Sequence, residues 1–259
     1  MNELFKGCFY YPVISPRPPW ITNATYPDCS FAYASNDPHS WADDYRLNIA
    51  KQTQALGGDT ITYLAEYLYG RTSLTDRLCN ALSPGNIVIP ARSYGINRWV
   101  VTLFDSPNSL ILPLADRAQA YVDQMVATYA WATPDQVAYL IGTECNRNMP
   151  VSMVAEAACY IRSKCNGKRI LVGSALPDFL KACWQADHAI ELWLETKWNP
   201  VTEEGKANWQ EYAKSLEGLM KLAPTWAGEW WCSDPAKSLE MCKEAVAIGI
   251  AGFGSGRFK

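Results

Sequence analysis

Two apolar runs in the chain each stop on a glutamate: Val137-Ala-Tyr-Leu-Ile-Gly-Thr-Glu144 and Thr225-Trp-Ala-Gly-Glu229, the latter followed by Trp230 and Trp231. A carboxylate at the end of a buried strand is costly unless it has a partner or a task. Two such acids that meet in space can divide acid–base or nucleophilic chemistry between them. Further acids close other apolar runs, namely Glu66, Asp105 and Glu195. The elements that carry these runs must therefore bring their ends to one place.

Strand-like and helix-like segments alternate along the chain. Strands are expected at Phe5–Ile14, Thr60–Tyr67, Asn97–Asp105, Val137–Glu144, Arg169–Ser174, His188–Lys197, Thr225–Trp230 and Ile250–Phe253. Helices are expected near Ser40–Leu56, Leu74–Leu82, Leu114–Trp131, Val151–Cys165, Pro177–Gln185, Glu203–Leu222 and Pro235–Ile248. Asn166-Gly167 follows the fourth of these as a helix stop should. Eight strands, seven helices and a repeat of roughly 30 residues predict an α/β fold, a (β/α)8 TIM barrel formed by residues 1–259 as a single domain. Such barrels usually end on a helix after strand eight, and none is expected here. A long Pro-, Tyr- and Asn-rich loop, 15–38, follows strand one and suits either a wall of a binding cleft or a belt over the barrel. An open doubly wound sheet would favour Gly-rich phosphate turns after the early strands, which the sequence lacks.

The chain has 259 residues, 49% hydrophobic and 19% charged, with a formal net charge of −3. That composition supplies ample core, and the absence of a basic run argues against a nucleic-acid partner. No stretch approaches the roughly 20 apolar residues that span a membrane. The N-terminus carries no secretory signal pattern, so a protein cytoplasmic as made is expected, with extracellular or virion-associated action left open. The nine cysteines are odd in number and irregular in spacing. They read as reduced, mostly buried thiols. With only His39 and His188, histidine-based metal sites are poorly supported, and neither a metal nor a cofactor is expected.

In a (β/α)8 barrel the active site lies at the C-terminal ends of the strands, where these acids fall. Strand alternation adds a condition. If Glu144 points into the mouth, Gly142 and Leu140 face inward while Tyr139 and Ile141 face the helices. If Glu229 does, Ala227 and Thr225 face inward and Trp226 faces the helices. Paired carboxylates on one rim suit glycosidic bond cleavage. One acid protonates the leaving oxygen, while the other attacks the anomeric carbon or activates water.

On these residues the chain resembles the retaining (β/α)8-barrel glycoside hydrolases with catalytic glutamates on strands four and seven, the clan that includes cellulases, mannanases and β-galactosidases. The resemblance implies that Glu144, in Gly142-Thr-Glu144-Cys-Asn146, is the acid/base. It implies that Glu229, in Ala227-Gly-Glu229-Trp-Trp231, is the nucleophile. Thr143 stands where that clan usually has an asparagine that binds the sugar 2-hydroxyl, and Phe253 where it usually has a tryptophan.

Eleven Trp and fourteen Tyr offer flat faces for the apolar C–H faces of sugar rings. Tyr11, Trp198, Trp230 and Trp231 follow strand ends and are candidate floors of sugar subsites, whereas Trp99, Trp184 and Trp209 suit packing. Glu66, Asp105, Asn146, Arg147, Glu195 and Lys197 are candidates to read sugar hydroxyls. The expected partner is a carbohydrate substrate, with an oligomer or larger assembly left open. Two other readings stand beside the hydrolase: a catalytically inactive barrel that binds glycan or serves an assembly such as a virion, and a carboxylate-metal isomerase or aldolase-like enzyme.

Overall fold

The computed structural model describes residues 5–9, 60–64, 98–105, 119, 122–123, 125–127, 129–147, 149–195, 203–230, 240 and 243–255. Eight strands form a closed parallel barrel in chain order. They are β1 (Phe5–Phe9), β2 (Thr60–Leu64), β3 (Arg98–Asp105), β4 (Val137–Thr143), β5 (Arg169–Ser174), β6 (Glu191–Leu194), β7 (Thr225–Trp230) and β8 (Gly252–Ser255). β8 returns to pair with β1, so the ring has no edge. The (β/α)8 architecture expected from the sequence is therefore present.

Three helices lie fully within the described residues: α1 (Val151–Lys164), α2 (Pro177–Ala186) and α3 (Glu203–Met220). Val154, Ala157, Ala158 and Ile161 recur at helical spacing and are the buried residues of α1. α1 ends where the Cys165 N–H bonds the Ile161 carbonyl at 2.9 Å, and Gly167 (φ 69°) then takes the left-handed turn. α2 opens on Pro177, whose missing N–H costs nothing in a first turn.

Alternation along the strands creates two cores. Outside the barrel, Trp99, Val101, Tyr139, Ile141, Ile170, Val172, Leu192, Leu194 and Ala227 pack with Val154, Ile161, Leu180, Trp209, Tyr212 and Leu216. Inside it, Val100, Ala138, Leu140, Leu171, Trp193 and Trp226 form a second cluster. Because side chains alternate, Arg169 and Gly173 share the inward face of β5 with Leu171. Likewise Glu191 and Glu195 share the inward face of β6 with Trp193.

The lower interior holds a charged group that must be matched. Arg169 Nε meets Glu191 Oε1 at 2.8 Å, and both side chains are largely buried. The Trp226 indole N–H donates to Glu191 Oε2 at 2.6 Å, and the Arg169 guanidinium lies 4.7 Å from the Trp226 ring centroid.

The sequence-based parity of β4 agrees with these clusters, and that of β7 does not. Trp226 faces the barrel interior and Ala227 the helices, the reverse of the expectation. The indole has a polar end, and its acceptor, Glu191, lies inside; the small Ala227 lets the outer layer close down. β7 also carries a register shift between Ala227 and Trp230, where three β7 steps match two on β8. An extra residue of this kind breaks strict alternation.

Several boundaries move. β6 begins at Glu191, because residues 188–189 form a turn after α2. β8 begins two residues later than expected, because Gly249 (φ 91°) turns the chain and Ile250 packs into the outer core. The expected helices at 40–56 and 74–82 and the loop 15–38 lie outside the described residues. Trp99 and Trp209 are buried in the outer core and Trp184 packs against it, as their packing role requires.

Glu191→Ala removes the anion facing Arg169 and the acceptor of the Trp226 indole. The expected loss is about 3 kcal/mol of stability, or a Tm lower by roughly 6–12 °C. Replacing the pair together, as Arg169→Met with Glu191→Leu, should recover the part owed to the unpaired Arg169 charge, leaving the part owed to the Trp226 indole. Thermal unfolding followed by circular dichroism checks both; an equal loss in the double variant contradicts the account.

Candidate active site at the C-terminal rim

β4 ends at Thr143, and the chain leaves it through Glu144, among the described residues the one non-glycine residue with positive φ (47°). A side chain held there costs roughly 1–3 kcal/mol, so something must hold it. The Glu144 N–H supplies the hold, donating to both carboxylate oxygens of Glu195 at 3.1 and 2.9 Å. A hydrogen bond to a charged acceptor contributes about 1.5–3 kcal/mol, enough to offset that strain. The Glu144 carbonyl then accepts from the Arg147 N–H at 2.9 Å, closing the single 3-10 turn Cys145–Arg147.

The Glu144 side chain is 11% exposed, and its Oε1 lies 3.0 Å from Arg147 Nη2. Arg147 is half exposed, so water screens this pair and the guanidinium is able to swing away. Asn146 is oriented from the other side: Ser174 Oγ donates to Asn146 Oδ1 at 2.6 Å and itself accepts from the Leu176 N–H at 3.0 Å. With its carbonyl oxygen engaged, Asn146 presents its amide NH2 as a donor.

Glu195 stands just past β6, and its own N–H donates to the Ser174 carbonyl at 3.0 Å. Its carboxylate crosses the end of β5 to reach β4, and only a glycine at position 173 permits that path. A Cβ on Gly173 would lie 2.4 Å from the Gly142 carbonyl oxygen and 2.6 Å from Glu195 Oε1. A second close approach lies at Gly228, where a Cβ would be 2.1 Å from the Trp193 indole nitrogen. Behind the rim, the Tyr212 hydroxyl of α3 donates to the Leu194 carbonyl at 2.7 Å. Burial first, and the Glu195 charge second, push the Tyr212 phenol well above its ordinary range. The same two causes push the Cys145 thiol up, and its Sγ donates to the Gly142 carbonyl at 3.2 Å.

The structure thus brings Glu144, Asn146, Arg147 and Glu195 together. Glu195, 3% exposed, is occupied with the Glu144 backbone rather than open to the mouth. Asp105 ends β3 beside Thr143, and Glu229 and Trp230 end β7 at its register shift. Tyr11, Glu66, Lys197, Trp198 and Trp231 lie outside the described residues. Sequence reasoning missed Gly173, Ser174 and Tyr212. The pair Gly173-Ser174 was a readable signal, because two small residues at a strand end leave room for a neighbour's side chain. Nothing in its local sequence singles out Tyr212. Among the described cysteines, Cys145, Cys165 and Cys183 are free and buried as expected, whereas Cys159 is exposed.

No helix among the described residues is long and apolar enough to cross a membrane. No family model and no curated protein sequence matches the chain. Solved structures do match its fold. An exo-β-1,4-mannosidase, Op5Man5 from Opitutaceae bacterium strain TAV5, superposes with a TM-score of 0.62 at 12% identity, over 98% of this chain and 51% of its own. The endoglucanase Cel5A of Thermotoga maritima gives 0.58 at 12% identity, over 84% of this chain and 82% of its own. A hyperthermophilic endo-β-1,4-glucanase in complex with substrate gives 0.57 at 11% identity, with the same coverage of 84% and 82%. The likeness is one of fold: these enzymes share the closed (β/α)8 barrel of this chain.

Gly173→Ala should drive Glu195 from its seat, lowering stability by about 1–3 kcal/mol, read as a lower urea midpoint. The buried Tyr212 and Cys145 also set a pH response. Both folded-state pKa values are raised, so their contribution is complete below the ordinary values of 10.0 and 9.0. It is lost as pH rises above them, because the unfolded chain ionises first. Stability should therefore fall between pH 9 and 11, by up to about 1.4 kcal/mol per pH unit per group. Tyr212→Phe should make that decline shallower in urea titrations; an unchanged slope contradicts this assignment.

Proposed function

We propose that the chain is a retaining glycoside hydrolase, with Glu144 as acid/base and Glu229 as nucleophile. The observation that carries the reading is the geometry of Glu144: a buried carboxylate on a left-handed residue at the C-terminal exit of β4. It lies in a ring whose β7, three strands on, carries Glu229. A positive φ in a non-glycine residue persists only where its surroundings impose it, and such positions cluster at functional sites. The fold shared with endoglucanases and a mannosidase supports the same reading.

In this mechanism Glu144 gives its proton to the glycosidic oxygen as the bond to the anomeric carbon breaks. The Glu229 carboxylate forms a bond to that carbon from the opposite face. Glu144, now ionised, takes a proton from water, and the resulting hydroxide equivalent displaces Glu229. The sugar leaves with its original anomeric configuration. Arg147 gives up its contact with Glu144 when the leaving oxygen arrives, and its exposure permits that movement. The Asn146 amide, with its oxygen fixed by Ser174, donates to a sugar hydroxyl. Tyr11, Trp198, Trp230 and Trp231 supply stacking faces, and Glu66, Asp105 and Lys197 read further hydroxyls. The substrates to try first are β-1,4-linked glucosides and mannosides, on which the structural neighbours act by name.

Azide rescue tests both roles. On an aryl glycoside cleaved by the native protein, Glu229→Ala should lose turnover by about 10⁴-fold or more while keeping its unfolding midpoint. Azide should restore it with a glycosyl azide of inverted configuration. Glu144→Ala should be rescued to a product of retained configuration, with the largest losses on poor leaving groups. Full activity in either variant, or the opposite stereochemistry, removes that residue from its role. If Glu229→Ala fails to fold, Glu229→Ser, which also leaves room for azide, serves the same comparison.

A further inference from the structure

The inward face of β6 contributes a second acid to this rim, and its position indicates a task different from binding sugar. We infer that Glu195 is the positioning residue of the site: its carboxylate, laid across β5 above Gly173, fixes the left-handed backbone of Glu144 by accepting its N–H through both oxygens. The inference rests on the proposed role of Glu144 and deepens it.

Four observations agree. Glu195 is 3% exposed, so its carboxylate is withdrawn from solvent. Both of its oxygens converge on one backbone N–H, that of the residue with positive φ. Its own backbone is fixed independently, through its N–H to the Ser174 carbonyl at 3.0 Å and through the Tyr212 hydroxyl on the adjacent Leu194 carbonyl at 2.7 Å. Its path is cleared by Gly173, where any side chain would collide with the Gly142 carbonyl, which cannot withdraw, and with the carboxylate itself.

A carboxylate is suited to this work. An ionised acceptor bonds an N–H more strongly than a carbonyl does, and two oxygens hold the donor over a wider arc of approach. The constraint acts on the backbone at Cα, upstream of every torsion of the Glu144 side chain. Losing it should therefore displace the reacting carboxyl while leaving the sugar subsites in place. The expected kinetic signature is a fall in kcat with little change in KM.

The test compares Glu195→Ala and Glu195→Gln in the full chain with two independent readouts. The first is the Glu144 backbone amide in a nitrogen–proton correlation spectrum. It should lie downfield in the native protein, as a charge-assisted donor does, move upfield in Glu195→Ala, and fall between in Glu195→Gln, which keeps one acceptor oxygen. An unmoved Glu144 amide in Glu195→Ala overturns the inference whatever the activity. The second readout is hydrolysis of an aryl glycoside. Here kcat should fall about 30-fold in Glu195→Ala, the factor that roughly 2 kcal/mol of lost positioning carries, with KM within about twofold and partial recovery in Glu195→Gln. A moved amide with unchanged kcat overturns the positioning role. A native protein that cleaves no glycoside at all defeats the hydrolase reading instead, and the amide alone then decides whether the clamp exists. If Glu195→Ala does not fold, Glu195→Gln is judged by the same two readouts.

Discussion

The inward face of β6 presents two carboxylates to a barrel interior, Glu191 near the bottom and Glu195 at the top, with Trp193 between them. Charge placed there must be matched or the fold loses several kcal/mol. Each acid is matched differently. Glu191 takes a cation and an indole N–H from its neighbours, Arg169 and Trp226. Glu195 takes a backbone N–H from two strands away. The first solution closes the barrel floor; the second fixes the exit of β4.

Trp193 and Trp226, their ring centroids 6.0 Å apart, fill the space between the two acids. So bulky a layer requires compensating emptiness elsewhere. Gly228 provides it beside the Trp193 indole, and Gly173 provides it beneath Glu195. The two glycines thus answer to their neighbours rather than to their own backbone. A side chain at either position would overlap atoms already in place, the Trp193 indole at one and the Gly142 carbonyl and Glu195 carboxylate at the other. Packing and site geometry are here one problem, because the residues that fill the upper interior also determine where the end of β4 can go.

The periodic features of this architecture could be read from the chain. Eight apolar segments at a steady spacing, the first seven each with a helix after it, specify a parallel barrel, and the strand-end acids are visible as exceptions to an apolar pattern. The inward facing of Leu140 on β4 followed from alternation alone. β7 was misread for an identifiable reason: strict alternation back from an inward Glu229 put Trp226 toward the helices, whereas a hydrogen bond to Glu191 draws it inside. The register shift after Ala227 leaves no trace in composition. The 188–190 segment, His-Ala-Ile, was apolar enough to pass for strand, although the chain turns at 188–189 after α2. Least legible was the conformation of Glu144. Its positive φ depends on a carboxylate that is distant in sequence and passes over a glycine on a third strand, and no local pattern encodes a three-strand contact.

A barrel shared at 11–13% identity with endoglucanases and a mannosidase specifies where chemistry can occur, not which chemistry. The selection lies in how individual side chains are constrained. A glutamate that merely terminated a strand would relax into the extended or helical backbone open to every residue. Glu144 does not: the Glu195 carboxylate at the end of β6 holds its N–H, the Arg147 N–H of its own turn holds its carbonyl, and its carboxylate meets a half-exposed arginine that solvent screens. On the proposed function, rigid backbone with a displaceable counter-ion suits a group that must meet an incoming oxygen and exchange a proton with it. A purely structural acid would call for the opposite arrangement, a carboxylate locked in a buried pair on an unstrained backbone, which is how this protein uses Glu191.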